Sequence, residues 1–315
     1  MDGQGMRSWR GLMWLVALIA FLPGCQREAA APAAPDLDAA AYVRGEHVWR
    51  LERERALLAD DGWTTLAGLH WLELRAHHLG NGDRVGLDLG IGPPRLGLVQ
   101  QDAQGVTFTP EPGVAVTLDG NPLRGRVRMH SDRTPGPTVL GFDDGRGRLS
   151  LIERGDRRAL RVRHLDAPAR LRFAGLRFWP AAPTWRLPAR FIAHPEARAL
   201  EIVDIQGHLQ MMANPGRLAF EREGRTWELE AVDAGDGHLM LMFADGTSGH
   251  GSYGAGRYLD LPTPGPDGDL VLDFNRAYNP PCAYSRHATC PLPPLDNRLG
   301  LAIDAGEQAY PGVAL

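Results

Sequence analysis

The sequence predicts a mainly β protein, with sandwich- or barrel-like layers of short antiparallel strands and one amphipathic helix near the amino terminus. Beyond Gly62, apolar or alternating runs of roughly five or six residues recur at intervals of roughly ten to twelve, which is typical of sandwiches and barrels. Turn-forming pairs such as Asp119-Gly120 and Asp144-Gly145 separate these runs. Because no second strongly periodic helical segment follows, alternating β–α–β units are disfavoured.

The predicted helix covers residues 36–61, and Gly45 is expected to break or kink it. Its apolar residues Val48, Leu51 and Leu58 fall near one face. Charged residues of opposite sign lie close together on the remaining surface: Glu46, Arg50, Glu52, Arg53, Glu54 and Arg55. We therefore expect an amphipathic helix that packs through its apolar face and keeps its charged face in water.

The predicted strands form two series, which prolines and two tryptophans, Trp179 and Trp185, separate near residues 175–188. The first series is 84–87, 106–109, 115–118, 124–129, 149–154 and 158–162. The second series is 170–173, 189–191, 200–204, 217–220, 225–232, 238–243 and 270–274. The aromatic residues between the series are expected to form a buried plug, because large aromatic side chains are more often buried than exposed.

The composition divides the chain into four predicted segments. Residues 1–24 are interpreted as a lipoprotein signal peptide, and residues 25–40 as an Ala/Pro-rich tether. Residues 41–175 carry the helix and a sandwich-like β half, and residues 176–315 carry a second β half. A chain of this length suits one large domain or two ordinary ones.

The first segment has the parts of an export signal. Arginines precede the apolar run 11–22, which is shorter than the ~20 residues of a permanent membrane span. The run ends in LPGC at 22–25, which resembles the lipobox of bacterial lipoproteins. This resemblance implies that Cys25 becomes the acylated amino terminus, with palmitate among its lipids, and that Gln26 favours the outer membrane. We expect a periplasmic protein whose lipid anchor makes the membrane its partner.

The chain contains no lysine. All 34 residues in the Lys+Arg total are arginine, against 38 Asp and Glu residues, and the formal net charge is -4. Lysine Schiff-base chemistry and a Walker-type phosphate loop are therefore excluded. Mixed charges without a basic patch also argue against a nucleic-acid partner. Recognition of an anion would depend on arginine, whose guanidinium suits carboxylate and phosphate groups.

Polar residues of different chemistry crowd the stretch that begins at Asp245. The candidates for ligand binding are Arg257, Asn275, Arg276, Tyr278, Asn279 and Arg298. The candidates for catalysis are Asp245, Tyr253, Asp273 and Cys282. Glycines at 246, 249, 251, 254 and 256 are expected to turn backbone amides toward an anion. The alternative is that the glycines form ordinary turns and the charged residues pair with each other.

Two cysteines, Cys282 and Cys290, remain once Cys25 is assigned to the lipid anchor. In an exported protein a disulfide between them is expected, and closing so short a loop would stabilise the fold by about 2–3 kcal/mol. Two alternatives stay open. One is a zinc site with His287 and a distant fourth ligand. The other is a thiolate nucleophile with His287 or His250 as its base. No other metal or cofactor is predicted.

The chain resembles, in four segments, the bacterial and archaeal family known as domain of unknown function 1684. The segments are GWTTLAGLHWLE at 62–73, IERGDRRALRVRH at 152–164, DGTSGHGSYGAGRYLDL at 245–261 and DFNRAYNPPCAYSRHATCPLPPLDNRL at 273–299. The resemblance extends over residues 46–310. It implies a β-rich body and a shared site or structural corner around the Asn-Pro-Pro-Cys-Ala sequence, but no activity.

Three hypotheses about function remain open. The preferred one is a membrane-anchored lipoprotein that binds a small polar or anionic ligand in a carboxyl-terminal cleft of Gly, Arg, Asn and Tyr residues. The second is a hydrolase of an envelope or glycan-derived substrate, which leaves enzymatic activity open. The third is a purely structural corner pinned by the disulfide. Convergence of the candidate residues on one open surface would favour a site, and pairing under cover would favour the structural role.

Overall fold

The described part of the chain contains three β-sheets and one long helix. The computed structural model describes residues 38–235, 238–262, 264 and 266–314. The helices are α1, Ala39–Leu58, and α2, Pro168–Leu171. Short 3-10 turns lie at Trp63–Thr65, Pro183–Trp185, Phe274–Arg276, Pro281–Ala283 and Leu295–Asn297.

The strands follow one another with short connections along most of the chain. In the amino-terminal half they are β1 (Leu66–Trp71), β2 (Ala76–Gly80), β3 (Leu87–Asp88), β4 (Gly97–Asp102), β5 (Gly105–Pro110), β6 (Val116–Leu118), β7 (Asn121–Pro122), β8 (Val127–Met129), β9 (Val139–Phe142), β10 (Gly147–Arg154) and β11 (Arg157–His164). In the carboxyl-terminal half they are β12 (Arg186–Val203), β13 (Leu209–Arg222), β14 (Arg225–Gly235), β15 (His238–Phe243), β16 (Arg257–Pro262) and β17 (Asp269–Asp273).

Two sheets of the amino-terminal half share one hydrophobic core. The first sheet has the order β1-β11-β10-β9-β6-β7, and the second has the order β3-β2-β4-β5-β8. Side chains of a strand alternate between its two faces, so every second residue points inward. Leu149 and Leu160 of the first sheet and Leu79 and Phe108 of the second are each 0% exposed. The prediction of β layers with one amino-terminal helix is confirmed.

The third sheet belongs to the carboxyl-terminal half and has the order β16-β15-β14-β13-β12-β17. It covers a second core in which Phe243, Leu272 and Phe274 are 0% exposed. Ile303 and Ala305 of the carboxyl-terminal segment complete this core. Strands β16 and β17 are the two edges of the sheet, and both contribute to one pocket. The sheet therefore curls until its edges face each other.

Helix α1 packs on the carboxyl-terminal half through its polar face. Glu46, Arg50 and Arg53 lie at helical spacing on that face, and Glu46 is only 1% exposed. Val48 and Leu51, in contrast, are 53% and 41% exposed. The expectation that the apolar face packs and the charged face is solvated is therefore wrong.

Two further expectations about helices are wrong. Gly45 lies inside α1 without breaking it. A glycine in a helix interior is destabilising by only about 1 kcal/mol, which the packing of the polar face offsets. Residues 170–173, predicted as a strand, instead begin within α2. Pro168 starts that helical turn, because its fixed φ suits the first helical position.

Part of the predicted organisation lies outside the described residues. This applies to the signal peptide at 1–24, to Cys25 and to the tether up to residue 37. Residues 39 and 40, predicted as tether, already belong to α1. No helix among the described residues combines the length and the hydropathy needed to cross a membrane.

Candidate functional site

The predicted ligand-binding residue Arg257 belongs to a buried ion pair. Its Nη2 donates to Asp245 Oδ2 at 2.7 Å, and both side chains are 0% exposed. The same guanidinium donates to the backbone carbonyls of Ile303, at 2.8 Å, and Ala305. Burial lowers the pKa of Arg257, and the Asp245 carboxylate opposes that shift. Arg257 and Asp245 therefore hold the carboxyl-terminal segment against β16, away from solvent.

The glycine-rich loop between β15 and β16 directs its amides toward its own chain. The N–H of Gly246 donates to the Leu301 carbonyl at 2.8 Å, and that of His250 donates to the Thr247 carbonyl at 2.8 Å. These N–H groups belong to exposed residues, but they already have acceptors within the chain. The N–H groups of Gly249 and Gly256 also donate to carbonyls within the loop, which disfavours an anion-binding nest at these three glycines.

Glu307 is the centre of a second buried cluster that sequence reasoning missed. Its Oε1 accepts from Arg53 Nε of α1 at 2.9 Å. Its Oε2 accepts from the Asn279 backbone N–H and from the Tyr284 hydroxyl, both at 2.8 Å. The Glu307 side chain is 0% exposed, and burial together with this carboxylate raises the pKa of Tyr284. The cluster ties α1 to the segment that contains Asn279 and Tyr284.

The predicted ligand-binding residues Asn275 and Asn279 are buried and bonded within the fold. Asn275 Oδ1 accepts from the Ala182 backbone N–H at 2.9 Å, and its Nδ2 donates to the Ala182 carbonyl at 2.8 Å. Asn279 Nδ2 donates to the Gln308 carbonyl at 2.8 Å. Arg298 is exposed and lies outside the pocket described below. None of these three side chains contributes to that pocket.

Cys282 and Cys290 are neighbouring free thiols in the structure, so the predicted disulfide is absent from it. Their sulfurs are in hydrogen-bond contact rather than joined. The Cys282 N–H lies 3.1 Å from Cys290 Sγ, and the Tyr253 hydroxyl donates to the Cys282 carbonyl at 3.2 Å. The hydrogen bond from Cys290 lowers the pKa of Cys282, whereas burial raises the pKa of Cys290. Among the described residues, no group of three or more His, Cys, Asp or Glu side chains is placed to hold a metal ion.

Asp273 and Arg276 are the two predicted site residues that share an open pocket. The pocket has a volume of about 320 Å³ and lies between the edge strands β16 and β17, beside α1. Its lining consists of Tyr42, Arg186, Leu259, Asp260, Leu261, Val271, Asp273 and Arg276. Sequence reasoning missed the polar residues Tyr42, Arg186 and Asp260. The alternation of Asp260 with two leucines was the one local signal.

Hydrogen bonds within the pocket wall use the carboxylate oxygens of Asp273 and Glu46. They leave nitrogens of two arginines without an acceptor among the residues that the structure describes. The Tyr42 hydroxyl donates to the Asp273 carboxylate at 2.9 Å. Arg276 Nε donates to Glu46 Oε1 at 2.8 Å, and Arg186 Nε lies 4.0 Å from Asp273 Oδ2. Within the described part of the chain, the terminal nitrogens of Arg186 and Arg276 have no hydrogen-bond partner.

Burial shifts the pKa values of Tyr42 in this wall and of Glu46 behind it. Burial raises the pKa of Tyr42, and the Asp273 carboxylate raises it further, so the phenol keeps its proton and donates. Burial also raises the pKa of Glu46, an effect that the hydrogen bond from Arg276 opposes. Arg276 is nevertheless 47% exposed at its side chain, so its guanidinium reaches both Glu46 and the pocket.

Backbone N–H and C=O groups of β16 also point toward the pocket. Tyr258 exchanges two backbone hydrogen bonds with Tyr278, at 2.8 and 2.9 Å, on the edge away from β15. N–H and C=O groups of an antiparallel strand alternate direction with a period of two, so those of Asp260 point to the same edge. The predicted residue Tyr278 also donates its hydroxyl to Asp260 Oδ2 at 2.8 Å. Tyr278 therefore positions Asp260 at the pocket.

His287 gives the fold a pH dependence that can be measured. Burial, with smaller contributions from Arg286 and His70, lowers the pKa of His287 to about 4. Between about pH 6.5, the ordinary value, and about pH 4 the unfolded chain binds a proton that the folded chain does not. Stability therefore falls as the pH falls through this window, by about 2 kcal/mol after allowance for partial exposure.

We expect His287→Gln to remove this part of the acid sensitivity. Urea unfolding at neutral pH and near pH 4 measures the difference, with the exposed His238→Gln as the matched control. If His287→Gln loses as much stability on acidification as the control, the buried neutral imidazole is refuted.

The fold and the pocket define a β-rich protein with a curled antiparallel sheet whose open edges hold a charged pocket. Residues 171–308 match the model of the family described as protein of unknown function (DUF1684). This range contains every residue that lines the pocket except Tyr42.

A comparison with solved structures found a similar protein. An uncharacterized protein of Haloarcula marismortui with a solution NMR structure is 33% identical, and the match covers 44% of this chain and 78% of that chain with a TM-score of 0.38. The comparison with curated proteins gave no match.

Proposed function

We propose that the protein binds a small polar ligand with a carboxylate or phosphate group in the pocket between β16 and β17. The observation that carries this proposal is that Arg186 and Arg276 present free terminal donors on one pocket of about 320 Å³. Guanidinium groups suit bidentate contacts with such anions. The volume lies at the lower end of small-molecule sites, which span roughly 300–1,000 Å³.

Acceptors at the opposite wall extend the proposal to ligands with hydroxyl groups. Asp260 contributes a carboxylate and a backbone carbonyl that face the edge of β16. A sugar acid or a sugar phosphate would combine an anion for the arginines with hydroxyls for Asp260. Binding is preferred over hydrolysis because the other catalytic candidates, Asp245, Tyr253 and Cys282, have partners elsewhere in the fold.

We also propose that the protein is an exported lipoprotein, anchored through Cys25 on the periplasmic face of the outer membrane. The arginines, the apolar run and the LPGC sequence support this proposal. In an oxidising compartment the adjacent Cys282 and Cys290 thiols would form a disulfide.

Intact mass spectrometry of protein extracted from bacterial membranes tests both the lipid anchor and the disulfide. Acyl chains on Cys25 and two missing hydrogen atoms are expected, and an unmodified polypeptide with two free thiols would contradict them.

Arg276→Ala is expected to abolish stabilisation by the ligand. A ligand at one hundred times its Kd adds about 2.7 kcal/mol to the stability of the folded state, which corresponds to about 4–6 °C in Tm. Thermal-shift screening of sugar acids, sugar phosphates and small carboxylates identifies such a ligand with the wild type. The same ligand is expected to leave the Tm of Arg276→Ala unchanged.

The control for general charge loss is Arg190→Ala. Arg190 lies on β12, as Arg186 does, but its side chain is 71% exposed and outside the pocket. This control variant is expected to respond to the ligand as the wild type does. A ligand that stabilises wild type and Arg276→Ala equally binds elsewhere and refutes the pocket.

A further inference from the structure

The face of the first sheet that points away from the amino-terminal core carries a cluster of arginines. Strands β10 and β11 pair with Arg148 opposite Arg163, Ser150 opposite Arg161, and Arg154 opposite Arg157. Residues opposite each other share a face, as do every second residue of one strand. The face therefore presents five arginines: Arg148, Arg154, Arg157, Arg161 and Arg163.

Two of these arginines converge on one hydroxyl group. Arg154 Nε donates to Thr289 Oγ1 at 3.2 Å, and Arg161 Nη2 donates to the same oxygen at 3.5 Å. Thr289 is 7% exposed. Because its oxygen accepts from both guanidinium groups, its hydroxyl hydrogen is left to donate to a further acceptor. Two guanidinium donors and one hydroxyl donor therefore meet at Thr289 Oγ1.

In the part of the chain that the structure describes, Arg161 lacks an ion-pair partner, whereas Arg154 and Arg157 of the same cluster each have one. Asp132 Oδ2 accepts from Arg154 Nη1 at 2.8 Å. Among the described residues, Arg161 has no carboxylate within 4.0 Å, and its Nε is buried without any hydrogen-bond partner. Burial and the neighbouring Arg154 and Arg163 lower the pKa of Arg161 to about 10. Asp132 partly offsets this effect, but it pairs with Arg154, and Arg161 has no directly bonded counterion among the described residues.

Besides Asp132, the other group that could place negative charge near Arg161 is the thiol of Cys290, the residue that follows Thr289. Cys290 faces Arg161 closely enough for the two to interact electrostatically. Burial raises the pKa of Cys290 well above its ordinary range, so the thiol is protonated at neutral pH. Neither a neutral thiol nor a disulfide sulfur carries a charge that balances the guanidinium of Arg161.

We propose that Arg154, Arg161 and Thr289 form a binding site for a phosphate group. Phosphate supplies both the missing charge and oxygens that accept from guanidinium and hydroxyl donors. The phosphate is either a free ion or the headgroup of a lipid, which share this chemistry. The site is separate from the pocket between β16 and β17 and does not depend on it.

Isothermal titration calorimetry with inorganic phosphate tests the site. Arg161→Gln is expected to weaken phosphate affinity about tenfold or more, because a hydrogen bond to a charged group contributes about 1.5–3 kcal/mol. Arg157→Gln is the matched control, since Arg157 lies on the same strand and face but contacts Trp71 and His208 instead. It is expected to change the affinity by less than about twofold. Arg276→Ala is expected to retain this binding, which separates it from the pocket.

A second variant keeps the test valid if Arg161→Gln is poorly folded. Thr289→Val removes the hydroxyl while preserving volume and charge, and it is also expected to weaken phosphate binding. The proposal is overturned if the wild type binds no phosphate at millimolar concentration, or if Arg161→Gln and Arg157→Gln bind it equally.

Phosphatidylcholine vesicles with and without phosphatidic acid then show whether the bound phosphate is a free ion or a lipid headgroup. Binding to the acidic vesicles that Arg161→Gln abolishes indicates a lipid phosphate, and phosphate binding without vesicle binding indicates the free ion.

Discussion

Arg257→Met is expected to lower the free energy of unfolding by about 3–5 kcal/mol, because it leaves a buried carboxylate without its counterion. Asp245 is 0% exposed at its side chain and Arg257 is its partner at 2.7 Å. The substitution also leaves the Ile303 carbonyl without the donor that Arg257 provides. Urea unfolding followed by circular dichroism measures the loss as a lower midpoint.

A second substitution at position 257 separates charge from geometry, and a substitution at Arg190 is the control. Arg257→Lys keeps the charge but loses the planar fork that reaches a carboxylate and two carbonyls at once, so it is also expected to be destabilising. Arg190→Met removes an arginine whose side chain is 71% exposed and is expected to change stability by less than about 0.5 kcal/mol. Equal effects of Arg257→Met and Arg190→Met would show that the buried pair contributes nothing.

Glu307→Gln is expected to lower the free energy of unfolding by about 3 kcal/mol. The glutamine side chain is nearly the same size, but its amide nitrogen replaces one of the two acceptor oxygens, so either the bond from Arg53 or the two bonds from Asn279 and Tyr284 are lost. The substitution also leaves the Arg53 guanidinium without its carboxylate. Urea unfolding with Arg53→Met and the double variant measures the coupling between Glu307 and Arg53 as a mutant cycle.

Glu228→Gln is the control for this second prediction. Glu228 pairs with Arg217 at 3.1 Å, yet its side chain is 51% exposed, so the same chemical change is expected to have little effect. A Glu307→Gln variant as stable as Glu228→Gln would mean that the cluster is relaxed by water or rearrangement. That result would remove the proposed role of Glu307 in attaching α1.

The β class was predictable because its signals are local. Turn pairs such as Asp144-Gly145 and the alternation in β10 and β11 depend only on neighbouring residues. The predicted series omit β2, whose sequence AHHLG places two histidines where apolar residues are expected. They also omit β16, which directly follows the glycine-rich loop. In both strands tertiary pairing overrides weak local preference.

The candidate site was only partly predictable, because it depends on contacts between distant parts of the chain. Asp273 and Arg276 were predicted from the crowding of polar residues. Tyr42 could not be predicted, since it meets Asp273 across 231 positions of sequence. For the same reason, polar crowding did not distinguish the buried pair of Asp245 and Arg257 from residues that face solvent. Whether a polar side chain pairs inside the protein or faces solvent depends on its burial, and burial depends on the whole fold.

The polar attachment of α1 makes one part of the molecule sensitive to ionic strength. An apolar helix interface is little affected by dissolved ions, whereas attraction between charges near solvent weakens as the Debye length shortens from about 10 Å at 0.1 M salt to about 3 Å at 1 M. Arg276 and Glu46 form such a contact, with Arg276 half in solvent. Tyr42, which lies on the same helix, forms part of the pocket wall. Dissolved salt therefore acts on the pocket through the helix that covers it, as well as through competition for the arginines.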